Sequence, residues 1–86
     1  MLGKWYQLYV RAPEGSNRYT TPEELKEVDD YLTRFVAASF VAPSGLPVQS
    51  QDKTWEVRVL EPRQLSIAKG ILEHFGLEIA REVEND

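Results

Sequence analysis

Apolar and polar positions alternate from Lys4 to Arg11. Tyr6, Leu8 and Val10 fall on one side and Trp5, Gln7, Tyr9 and Arg11 on the other, the period-two pattern of a strand with one buried face. Ala12 to Thr20 breaks the alternation with Pro13, Gly15, Ser16 and Asn17, residues that turn the chain rather than extend it, so a surface loop follows. Thr21-Pro22-Glu23-Glu24 then reads as a helix start: an N-cap threonine, proline where no N–H is needed, and glutamate three residues on to complete a capping box. Leu25, Val28, Leu32, Phe35, Val36 and Ser39 follow as one helical stripe, which predicts a helix reaching Ala38 or Phe40.

Pro43, Gly45 and Pro47 interrupt Phe40 to Lys53, where a short edge strand is expected. Strict alternation returns from Thr54 to Leu60, with Trp55, Val57 and Val59 on one face. Glu61-Pro62 stops that strand and opens a second helix, whose stripe of Leu65, Ala68, Ile71, Leu72 and Phe75 ends at Gly76. A last strand runs through Leu77, Ile79 and Val83, and Glu84-Asn85-Asp86 is expected to fray. The order β, α, short β, β, α, β predicts an α+β fold. Its simplest closure is a ferredoxin-like two-layer sandwich (βαββαβ), an antiparallel sheet with two helices on one face, formed by residues 1–86 as a single domain.

Two helices cover one face of such a sheet. The alternation places Trp5, Gln7, Tyr9, Arg11, Glu56, Arg58, Glu78, Ala80 and Glu82 on the other. What meets that open face is the functional question. Trp and Tyr give contact area at small cost in rotamer entropy, and arginines supply a polar rim, so Trp5, Gln7, Tyr9, Arg11, Glu56 and Arg58 form the expected binding surface. A second candidate is the loop Gly15, Ser16, Asn17 and Arg18, whose N–H groups and guanidinium could hold an anion.

Charge narrows the partners. Ten Lys and Arg against fourteen Asp and Glu leave a net charge of −4, the opposite of a phosphate-binding footprint, and the aromatic signature of RNA-binding sheets is missing from Thr54–Leu60. No nucleic acid is expected. The absence of cysteine excludes disulfides, thiol nucleophiles and Cys-ligated zinc, and permits a reducing cytoplasm, the expected location. No apolar stretch approaches the ~18 residues of a spanning helix, so no membrane association is expected.

Chemistry finds little support. His74, the only histidine, sits where a helix C-terminus favours an imidazolium, and no nucleophile elbow accompanies it. Glu23, Glu24, Glu27, Asp29 and Asp30 crowd the first helix, with Glu23 and Glu24 at its favourable N-terminus and Glu27 and Asp30 off the apolar stripe. The group reads as a solvated face rather than an acid-base pair. No catalytic residue, metal site or cofactor is expected. The pattern supports a small interaction module that binds another protein or itself, with a homodimer through the open sheet face expected. The alternative from a different class is a cofactor-independent enzyme or small-ligand binder of the dimeric α+β barrel type, in which two sheets enclose a cavity.

Overall fold

The first alternating segment becomes β1 (Trp5–Arg11) in a computed structural model that describes residues 3–86. Leu8 and Val10 are fully buried, and Tyr6 packs against the same core. The loop that follows turns back at Gly15, whose φ of +81° is a left-handed conformation open to glycine. It ends at α1 (Pro22–Phe35), with Thr21 as the extended N-cap and a capping box in place.

Glu24 holds that helix start together. Its carboxylate accepts from the backbone N–H groups of Tyr19 (2.9 Å), Thr20 (2.9 Å) and Thr21 (3.3 Å), so capping rests on Glu24 more than on the Thr21 hydroxyl. The Tyr19 N–H above all, with those of Thr21 and Thr20, outweighs the opposing effect of burial and holds its carboxyl below the usual value of 4.5. A carboxyl with a lower pKa folded than unfolded contributes stability above the unfolded value and loses it as pH falls through the folded one. Melting temperature is therefore expected to fall below about pH 4.5. Glu24→Gln should melt lower than the parent at pH 7 and show a shallower acid dependence, checked by circular dichroism across pH 2 to 7.

The helix is shorter than its stripe predicts. Val36 is extended (φ −140°, ψ 162°) and donates its N–H to the Leu32 carbonyl, closing the last turn. Val36, Ala38 and Phe40 are buried while Ala37 and Ser39 are exposed, so period two replaces period 3.6. Both periods include Val36, and the β-branched residue takes the extended one. Phe35 is left 56% exposed. The expected strand within Phe40–Lys53 instead forms earlier, as β2 (Ala38–Phe40), where the Asp29 carboxylate accepts the Phe40 N–H at 2.8 Å.

Strand β3 (Trp55–Val59) buries Trp55, Val57 and Val59 as its alternation predicts. A 3₁₀ turn (Pro62–Gln64) leads into α2 (Leu65–His74). Gly76 (φ +84°) stops it, with Gly76 N–H on the Glu73 carbonyl (2.9 Å) and Leu77 N–H on that of Leu72 (3.0 Å). The final strand, β4 (Glu78–Asn85), includes most of the expected fraying tail. Trp5 pairs with Asn85 across the ladder, and Lys4 meets Glu84 at 2.6 Å, so the tail is tied down.

The result is an α+β fold with one four-stranded sheet in the order β2-β3-β1-β4 and every neighbouring pair antiparallel. Leu25, Val28 and Leu32 of α1 and Ala68 and Leu72 of α2 join Leu8, Val10, Val57 and Val59 of the sheet in one core. Among the described residues no helix covers the opposite face of the sheet.

Candidate functional site

Register settles which side chains share that face. In the ladder with β3, Gln7 stands opposite Arg58 and Tyr9 opposite Glu56. Across β4, Trp5 faces Asn85, Gln7 faces Val83, Tyr9 faces Arg81 and Arg11 faces Glu78. All six expected surface residues, Trp5, Gln7, Tyr9, Arg11, Glu56 and Arg58, therefore lie together, with β1 in the middle.

Polar contacts cross three strands. Gln7 Nε2 donates to Glu56 Oε2 at 2.8 Å, Arg58 Nε donates to the same oxygen at 2.9 Å, and Asn85 Nδ2 donates to Gln7 Oε1 at 3.1 Å. Burial pushes the Glu56 carboxyl up, but the hydrogen bonds from Arg58 and Gln7 and the Arg58 charge outweigh it and hold the group low. Glu56 is thus an ionised anchor for its neighbours, not a proton donor near neutrality. Arg11 meets Glu78 at 3.3 Å. The Arg58 guanidinium lies 5.7 Å from the Trp5 ring centre and that of Arg81 lies 4.3 Å from Tyr9, so each large aromatic carries a cation on it.

Glu82 does not lie on the open face where the alternation places it. Between Tyr9 and Val10 the β1–β4 register slips by one residue at Ala80, and beyond a bulge every side chain changes face. Glu82 and Glu84 turn to the helix side, where Glu82 pairs with Lys69 of α2. Arg81, Val83 and Asn85 take the open face instead. Nothing in the composition of Ile79-Ala80-Arg81 marks the bulge. The one sign is Arg81, a charged residue that a regular strand would place on the buried face between Ile79 and Val83.

With that change the open face holds Arg11, Arg58 and Arg81 against Glu56 and Glu78, one net positive charge in a chain of net charge −4. The acidic excess lies elsewhere.

Depressions border the sheet. An apolar one of about 380 Å³ is lined by Gly3, Trp5, Arg58 and Leu60. Another, about 260 Å³, lies beside Tyr9 under the β2–β3 connection, with Val41, Pro43 and Val48. A third, about 770 Å³, opens at the sheet end, where Gly15, Ser16 and Arg18 of the expected anion loop line it and Asn17 does not. Arg11, Arg18 and Lys53 there are matched by Glu14, Asp52 and Glu78, so formal charge gives an anion no net attraction. His74 is exposed at the end of α2, its ring 5.5 Å from that of Phe75.

Among the described residues no group of three or more His, Asp or Glu side chains could hold a metal ion, and no helix is long and apolar enough to cross a membrane. No protein-family model matches the chain, and no curated protein matches it either.

Proposed function

We propose that this chain is a self-associating interaction module whose contact surface is the open sheet face, two copies packing face to face about a two-fold axis. The observation that carries the reading is the pair of half-buried rings, Trp5 and Tyr9, on β1, an interior strand, each under a stacked arginine. Tyr, Trp and Arg near the centre of a surface are the residues on which binding energy concentrates. A cross-strand hydrogen bond from Gln7 to Glu56 and one within β3 from Arg58 to Glu56 already order these three side chains, which reduces the ordering entropy that association costs. Charge supports the same face: its cations and carboxylates nearly balance, whereas the remaining surface is acidic and repels a copy.

The element order and the strand order β2-β3-β1-β4 support the finer fold reading, the ferredoxin-like βαββαβ sandwich. A cysteine-free chain suits the cytoplasm proposed for it.

Light scattering at about 10 µM, well above the Kd of a specific homodimer, is expected to give twice the chain mass. Trp5→Ala with Tyr9→Ala should return the monomer with its circular dichroism spectrum retained. A monomeric parent, or a double variant that stays dimeric, overturns the reading. So does saturable binding of mixed-sequence RNA at about 0.15 M salt, because it would give the aromatic pair a stacking role.

The apolar depression at Trp5, Arg58 and Leu60 favours a second reading, a small-ligand binder or cofactor-independent enzyme in which the paired sheets enclose a cavity. A dimer structure with a closed cavity lined by Trp5, Tyr9 and Arg58 would support it. Sheets in full contact would remove it.

A further inference from the structure

The two sheet edges differ. Strand β2 presents three residues, a short edge of the kind that resists strand addition. Strand β4 presents eight. Its inner side pairs with β1, and among the described residues its backbone makes no hydrogen bond outside that ladder. From Arg81 to Asn85 the strand is regular and its outer N–H and C=O groups face outward unpaired.

A second copy cannot use them cheaply. Antiparallel joining of two identical edges into one sheet needs a two-fold axis normal to the sheet, which keeps each residue on its own face and so pairs only residues of equal parity. An axis at Arg81 sets Arg81 against Arg81. One at Glu82 sets Glu82 against Glu82, and one at Glu84 sets Glu84 against Glu84. The axis at Val83, which uses the whole regular stretch, opposes Glu82 and Glu84 twice. Every register therefore places like charges directly across the ladder, which destabilises pairing.

A strand of opposite sign meets none of these contacts. We infer that the outer edge of β4 is a strand-addition site for a basic extended segment, one with Lys or Arg at two alternate positions opposite Glu82 and Glu84, and that it is closed to a second copy of this chain. Lys69 and Lys4 hold the two carboxylates from the inner side, and the side chains remain 35% and 47% exposed, within reach of a partner strand. Main-chain hydrogen bonds would supply the affinity and the alternating charges the choice of partner and register. This site lies on the edge rather than the open face, so it stands or falls independently of the dimer.

Two blocked synthetic strands test it, identical except that one carries Lys and the other Glu at two alternate positions flanking a threonine. Titrated into the isotope-labelled protein, the Lys strand should shift the amide resonances of Arg81 to Asn85 and saturate. The Glu strand should bind at least tenfold more weakly, and Glu82→Lys with Glu84→Lys should invert that preference. No saturable binding of the Lys strand, shifts centred away from β4, or equal binding of both strands overturns the inference. Self-association reads the closed edge directly. Glu84→Lys brings opposite charges across the axis at Val83, and its mass by light scattering should be twice that of the parent under the same conditions. An unchanged mass overturns the claim that charge closes the edge.

Discussion

Leu8→Ala should lower stability by about 2 to 5 kcal/mol, the range for removing a fully buried leucine from a core that collapses only in part. Leu8 has no exposed surface and lies on β1, one of the two strands with neighbours on both sides. For 86 residues total stability is on the order of 4 to 13 kcal/mol, so this one truncation removes a large share of it. At roughly 4 to 8 °C per kcal/mol for a chain of this size, melting should drop by roughly 8 to 40 °C. Val48→Ala makes the control, because Val48 is 64% exposed and its loss should stay within about 0.5 kcal/mol. Thermal and urea melts check both, and a Leu8→Ala loss no greater than that of Val48→Ala would contradict the core described above.

Tyr19→Ala is expected to be nearly as damaging, at about 3 to 5 kcal/mol by analogy with other buried aromatic truncations. Tyr19 is 6% exposed although it lies in the loop before α1. Its hydroxyl donates to the Phe75 carbonyl at the end of α2, and its N–H donates to Glu24, so one residue joins the β1–α1 loop to both helices. These contacts hold a φ of +62°, a left-handed backbone that is costly for a tyrosine. Tyr19→Phe separates the effects: the ring stays and the Phe75 carbonyl loses its partner, at a cost of about 1 to 3 kcal/mol. Burial, with Glu24 and Glu27 adding to it against Arg18, raises the phenol above its usual value of 10.0. A phenol with a raised folded-state pKa contributes below the unfolded value and loses that contribution as pH rises through the folded one. Alkaline destabilisation above about pH 10 should therefore be weaker in Tyr19→Phe than in the parent.

Both substitutions bear on what could be read from sequence. Leu8 was legible because period two is a local property, and β1 and β3 each bury the residues that their alternation marks. Tyr19 was not, since the turn-forming residues from Pro13 to Asn17 announce a loop and do not say which residue of it reaches the core. The capping box was legible as a pattern, although its strength sits in Glu24, which gathers three N–H groups from a loop whose path only the fold defines. At the candidate site, the β1 and β3 residues appeared together as expected, because antiparallel pairing of two regular strands preserves the faces that sequence assigns. The β4 contribution was misassigned from Arg81 onward, where one extra residue reversed the parity that the assignment relied on.

That extra residue gives β4 a tolerance to change in length. Ile79 stands opposite Val10 and Arg81 opposite Tyr9, so two steps of β4 span one step of β1. Excising Ala80 would leave both pairings where they are, with Ile79 still toward the helices and Arg81 still on Tyr9. A one-residue deletion in a regular stretch of strand would reverse every side chain beyond it; here it would only remove the kink. The shortened strand would run straight from Glu78 to Asn85, extending the unpaired border of the sheet by the residues that the bulge now sets out of line.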